Sequence, residues 1–204
     1  MELKLFLYFV IIISAVFHEY AHGLMAYNLG DETAYRAGRL TLNPLVHIDI
    51  LGTIVVPLFL ILTSGIFIGW AKPVPYNPYN LSDPKYGSLK VAAAGPAANL
   101  IIALFFGLLL RLSLLFNFSF LSPLFIELIA VVIFINIMLA LFNLIPIPPL
   151  DGSKIAADLF PKYFSLFSRA GIFGLLIAFF IAFTVLPPLS ALLFRLLVGG
   201  HPII

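Results

Sequence analysis

The chain contains no cysteine, so neither a disulfide framework nor a thiolate-bound metal is open to it. Charge is scarce too: 10% of residues are Asp, Glu, Lys or Arg, against about a quarter in ordinary soluble domains. The net charge of +2 is small and scattered, which argues against a nucleic-acid partner. Any metal must be held by one of four histidines or nine acidic residues. What remains is apolar: 62% of the 204 residues are hydrophobic. A water-soluble fold of this length cannot hide so much apolar surface, so a lipid bilayer must solvate part of it. The 21 Phe read as lipid-facing and core filler, with no cofactor box among them.

Apolar stretches run over about 3–29, 52–70, 89–111, 123–145, 169–186 and 188–198. A full helical crossing needs roughly 20 residues. The first, third and fourth stretches meet that comfortably and the fifth marginally; 188–198 is too short to cross alone. Stretch 52–70 is long enough, but Pro57, Gly65 and Gly69 weaken a straight helix there. The first stretch runs on into His18 and Glu19, so it reads as a retained helix rather than a cleaved leader. No repeat or appended soluble domain is visible. The expectation is one membrane-embedded domain over 1–204, with a core at 3–160 and C-terminal helices at 165–198.

The linkers carry their own signals. Residues 30–51 alternate polar and β-favouring residues around Arg39–Leu42, a pattern that predicts a short strand at the membrane surface. Pro73, Pro75, Pro78 and Pro84 forbid a continuous helix through 71–88 and favour extended structure. Gly95-Pro96 suggests that the regular part of the next helix is 95–111.

The sharpest feature is His18-Glu19-Tyr20-Ala21-His22 on the first apolar helix. Positions i and i+4 share one helical face, so both imidazoles can reach a single ion. Zinc takes imidazole nitrogen and keeps one of four positions open in catalytic sites. Glu19, offset from that pair, can act on a water as general base. The bland alternative is a set of polar residues where the helix meets the headgroups. Ionisable residues inside a membrane are costly, however, and three at the one spacing that makes a zinc face point to a site. A third ligand is needed, and His47, Asp49, Glu127, Asp151, Asp158 and His201 are the candidates. Asp151 is favoured because Pro146, Pro148 and Pro149 end the fourth helix and Gly152 permits a sharp turn. Asn143 offers an amide near the same place, to hold a substrate carbonyl or to satisfy a broken helix end.

HEYAH (18–22), AAGPAANL (93–100) and NLIPIPPLDG (143–152), in that order, resemble the site-2 protease family of intramembrane zinc metalloproteases. The similarity covers about residues 3–160. It implies that His18, His22 and Asp151 hold Zn2+, that Glu19 is the catalytic base, and that the substrate is a transmembrane protein; Asn143 is a candidate catalytic residue on its position alone. GRLTLNPLVHID and GWAKPVPYNP suggest the short branch of that family, without PDZ or CBS domains. Asn99, Arg39 and Pro146 are candidate substrate-binding residues; Asn99 and Asn136 also suit hydrogen bonding between helices. His47 and Asp49 read as interfacial, Lys72 beside Trp70 as an interfacial anchor, and Glu127 as distant.

Convergence of the ligands constrains topology. If 3–29, 52–70, 89–111 and 123–145 all crossed, the first and fourth would be antiparallel, and His22 and Asp151 would face opposite membrane sides. The fold expected is therefore an all-α polytopic membrane protein, a transmembrane helix bundle with a re-entrant or β-hairpin-like element between the first and second core helices. All basic residues except Lys4 and Arg111 then lie on one side, which marks it as cytosolic, with the active site nearer that face of an inner membrane. The rival reading is a non-enzymatic metal-binding membrane protein or transporter with broken helices at its ion site.

Overall fold

A computed structural model describes residues 2–64, 69–116, 122–162 and 171–199; His201 lies outside them. Helix α1 (Glu2–Asn28) is followed by the short α2 (Thr33–Arg36) and α3 (Pro44–His47). A π-helical turn (Ile50–Val55) then runs into α4 (Val56–Ser64). After an extended segment come α5 (Gly87–Leu115), α6 (Pro123–Asn143) and α7 (Asp151–Leu159). The chain ends in α8 (Gly171–Thr184) and α9 (Leu186–Val198). Among the described residues there is no strand.

Among the described residues three helices are long and apolar enough to cross a membrane: Leu5–Asn28, Gly87–Leu115 and Pro123–Asn143. Leu176–Thr184 and Leu186–Val198 form a bent pair at 43°. Pro187 and Pro188 in the first turn of α9 explain the break, because neither can continue the hydrogen-bonding of the helix before it. The two last apolar stretches are thus limbs of one bent unit. Leu110, Ile133, Ile137, Phe194 and Val198 make the principal core, between α5, α6 and α9.

Helix α5 is regular from Gly87, eight residues before the start expected at Gly95, and Pro96 sits inside it. Its buried residues Ala92, Gly95, Pro96 and Ala103 are small, which lets α1 approach closely; lipid gives no hydrophobic drive, so such packing and interhelical hydrogen bonds hold the helices. Asn99 donates to the Ser14 carbonyl at 3.3 Å and to Asn136 Oδ1 at 2.9 Å, and Asn136 donates to Ser14 Oγ at 3.0 Å. One buried polar knot therefore ties α1, α5 and α6 together.

These bonds also set direction. His22 meets Val91 and His18 meets Asn99, so α1 and α5 are antiparallel. Ser14 meets Asn136, whereas His18 and Glu19 share a cavity wall with Asn143, so α1 and α6 are parallel. The segment between them accounts for this. The Trp70 N–H donates to the Gly52 carbonyl at 3.0 Å, and Thr53 Oγ1 donates to the Trp70 carbonyl at 2.9 Å. Both ends of 52–70 meet at one point, so this stretch returns to where it began. It is helical on its outward limb and re-entrant.

Two expectations are corrected. No strand forms at 36–43, because the Arg39 N–H turns back to the Ala34 carbonyl at 2.9 Å through Gly38 at φ +65°, and Arg39 itself is buried. Arg195 falls at the same end as Arg111, whose Nη1 donates to the Leu196 carbonyl at 3.3 Å. The basic excess on the other side is smaller by that residue than the sequence count, and helix direction decides the topology.

Candidate metal centre

His18 and His22, one turn apart on α1, stand edge to face with ring centroids 4.6 Å apart. Each ring is steered from behind. His22 Nδ1 lies 2.6 Å from the Val91 carbonyl, an oxygen that can only accept, so this nitrogen carries the proton. His18 Nδ1 lies 2.6 Å from Asn99 Oδ1. The Asn99 amide nitrogen is committed to the Ser14 carbonyl, so its oxygen accepts and His18 Nδ1 donates as well. Both Nε2 lone pairs therefore face forward.

What they face is Asp151, at the start of α7. Its Oδ2 lies 3.0 Å from His18 Nε2 and 3.0 Å from His22 Nε2. Three electron-pair donors converge with no proton left for any of them to share, an arrangement that calls for a cation. Tetrahedral zinc, with bonds of about 2.0–2.1 Å, separates neighbouring ligand atoms by roughly 3.3 Å, close to this spacing. Gly95 leaves the room, for a Cβ there would stand 2.5 Å from His18 Nε2 and 2.4 Å from His22 Nε2. Gly152 serves Asp151 through close approach rather than a special turn: a Cβ would come within 2.2 Å of the Leu144 carbonyl oxygen. Lys154 Nζ stands 3.6 Å from the other Asp151 oxygen.

Glu19 sits beside the cluster. Its Oε2 accepts the Val74 N–H at 2.8 Å, from the extended segment that follows Trp70. A cavity of about 240 Å³ opens in front, walled by His18, Glu19, Asn99 and Asn143, by Tyr8 and His47, and by Trp70, Ala71 and Leu150. Asn143 spends one N–H on the Leu139 carbonyl of its own helix at 3.0 Å and keeps its carbonyl oxygen.

The remaining candidates disperse. Asn99 has both ends occupied behind His18. Arg39 lies under the extended segment, donating from Nη2 to the Lys72 and Pro73 carbonyls at 3.2 Å each. Pro146 is exposed on the turn after α6 and is not part of the cavity wall. His47 is buried, 1% exposed, with Nε2 donating to the Thr41 carbonyl at 2.8 Å, and does not join the cluster. Asp49 caps the π-helical turn through the Gly52 N–H at 2.7 Å, and Asp158 accepts the Leu89 N–H at 2.8 Å; neither joins the cluster. Glu127 is exposed near the opposite end of α6 from Asn143. Reading the sequence missed three supports: the Val91 carbonyl, the Val74 N–H and the Asp31 carboxylate. The first two are backbone groups with no residue signature. Asp31, two residues before α2, accepts the Thr33 N–H and hydroxyl in an Asx turn, a local pattern of Gly30-Asp31 that would have marked it as a turn residue.

Span-length helices around two imidazoles, a carboxylate and an adjacent glutamate define a membrane metallohydrolase. Residues 113–186 match the model of Peptidase family M50. Over 164 residues the chain is 41% identical to the "Putative zinc metalloprotease YwhC" of Bacillus subtilis, covering 79% of this chain and 72% of that protein. Rip2 of Mycolicibacterium smegmatis, described in the same words, is 33% identical over 141 residues, 69% of this chain and 52% of its own length. Rip2 of Mycobacterium tuberculosis is 28% identical over 144 residues. No solved structure matches the chain significantly. The chain belongs to peptidase family M50, the site-2 protease family of zinc metalloproteases.

Proposed function

We propose that this protein hydrolyses peptide bonds within or near the membrane-spanning segments of other membrane proteins, with zinc held by His18, His22 and Asp151 and with Glu19 as general base. The observation that carries this reading is the convergence of both Nε2 atoms on Asp151 Oδ2, beside Glu19, inside a helix long and apolar enough to span. Bound zinc supplies a Lewis acid that activates water and polarises the scissile carbonyl. The chain's residues do the rest. Glu19 takes a proton from the attacking water and returns it to the leaving amine. Asn143 holds the substrate carbonyl or its neighbour from the facing wall. No covalent enzyme intermediate is expected.

A helical substrate has its carbonyls occupied in i→i−4 bonds and must unwind to be cut. An unwound, extended peptide can pair with backbone that lines the cavity. Ala71 fits that role: it stands in the wall, and no hydrogen bond occupies its N–H or C=O among the described residues. Arg36, Arg39, Lys72, Lys85, Lys90 and Lys154 all lie towards the end of the bundle that carries the site, which by the positive-inside tendency supports a cytosol-facing centre in an inner membrane. We read the whole chain as one membrane-embedded catalytic domain.

The test compares cells producing wild type with cells producing Glu19→Gln. Membrane-protein fragments that accumulate with wild type and vanish with Glu19→Gln, at equal zinc content, support the reading. Undiminished fragments overturn it, and continued zinc transport by Glu19→Gln would put a transporter in its place.

A further inference from the structure

Arg39 is 9% exposed, its guanidinium pairs with no carboxylate among the described residues, and its buried Nε has no hydrogen-bond partner. Burying an unpaired cation is costly, so what it holds matters. Its Nη2 donates to the Pro73 carbonyl at 3.2 Å. That carbonyl belongs to the same peptide group as the Val74 N–H, which donates to Glu19 Oε2 at 2.8 Å on the other side. One amide thus stands between a buried cation and the glutamate of the site, its oxygen toward the cation and its hydrogen toward the carboxylate.

We propose that the Pro73–Val74 peptide is a relay through which Arg39 positions Glu19, so that Arg39 is a positioning residue for the reaction and the indirect counter-ion of Glu19. The inference rests on the reading of Glu19 as general base. Three features make the relay stiff. Pro73 and Pro75 flank Val74, fix the backbone on both sides of it and leave its N–H the sole donor in that tripeptide. Upstream, the Lys72 N–H donates to the His47 carbonyl at 2.9 Å. Downstream, the Asn77 N–H donates to the buried Asp31 carboxylate at 2.7 Å. A hydrogen bond to the carbonyl polarises the amide and strengthens the one its N–H makes. Oε2 is thereby restrained, and the other carboxylate oxygen of Glu19 is left to act on water.

The test uses the full-length protein in proteoliposomes with a single-span reporter protein that wild type cleaves, measuring kcat, KM, zinc per chain and thermal stability. Arg39→Gln should lower kcat about 10- to 100-fold, part of the about 10²–10⁴ that general-base catalysis contributes. KM should stay within about two-fold and zinc content should be unchanged. Arg39→Lys should recover part of the loss. Val74→Pro removes the N–H in a segment already extended, together with a buried valine side chain, and its loss of kcat should not add to that of Arg39→Gln, because both break one relay. Should Val74→Pro not fold, a backbone ester at position 74 removes the same hydrogen and keeps the side chain. A raised KM with kcat intact would make Arg39 a substrate contact and overturn the proposal. So would additive losses, a gain in kcat, or loss of zinc and stability without rescue by Lys. If Glu19→Gln is inactive while the Arg39 variants cut normally, the relay fails alone; if Glu19→Gln cuts normally, the general-base reading itself fails.

Discussion

His18 Nδ1 lies 2.6 Å from Asn99 Oδ1, and the opposite end of that amide is held by Ser14 and Asn136. The imidazole is therefore oriented by a side chain that is itself immobilised from a third helix. Partners behind metal-ligating histidines typically account for about 10- to 100-fold in affinity. Asn99→Ala should weaken zinc binding by that order, read by competition with a chromophoric chelator. Unchanged affinity would show that packing alone aims the ring.

Gly95→Ala should abolish zinc retention outright. Its Cβ would enter the space between both Nε2 atoms, at 2.4 and 2.5 Å, and backbone on α5 has little freedom to withdraw. Metal analysis of the purified protein checks this, with far-UV circular dichroism expected to report intact helices. Full occupancy by zinc would mean that α1 and α5 separate more easily than their small-residue contact implies.

Much of this centre is legible in the sequence, for a physical reason. Helical periodicity places His18 and His22 on one face whatever surrounds them, and lipid makes such residues conspicuous. Asp151 needed family resemblance, because no periodicity connects α1 to a residue after a proline-broken turn. The re-entrant course of 52–70 followed from requiring α1 and α6 to be parallel. Arg39 was harder. Alternation around it suggested a strand, but the backbone turns back to Ala34 through Gly38, and no strand forms among the described residues. The side chain instead turns inward to backbone carbonyls, and partners of that kind leave no trace in composition.

Asp31 ties the end of α1 to the extended segment, accepting the Thr33 hydroxyl at 2.6 Å, the Asn77 N–H at 2.7 Å and the Asn80 amide at 2.9 Å. Burial alone would push its carboxyl up, but these hydrogen bonds outweigh burial and hold it below the ordinary carboxylate range. Its contribution to stability is then complete above the unfolded value of about 3.9 and is lost as pH falls through the lower folded value. Asp31→Asn should lower thermal stability near neutral pH, with the gap from wild type closing in that acid window. A gap independent of pH would show that the carboxylate charge is not what the anchor uses.

Because the natural chain has no cysteine, single-cysteine labelling can map its faces cleanly. Tyr35→Cys and Tyr79→Cys, at positions 60% and 95% exposed, should react with an impermeant maleimide from the same side of a sealed vesicle. Phe116→Cys, at the far end of α5, should react from the other. Opposite labelling of 35 and 79 would mean that the intervening stretch crosses, and would break the alignment of α1 with α6.

The bond between Trp70 and Gly52 has a consequence for how such a protein changes over time. A true crossing is all or nothing: losing one inverts every segment behind it. A segment whose two ends are fastened together is a detour on the route. Its tip can lengthen, shorten or be rewritten residue by residue, and the polarity of everything downstream, Asp151 included, stays the same. A change of length between the two fastened ends would thus leave the direction of α5 and α6, and with it the approach of Asp151 to His18 and His22, unaltered.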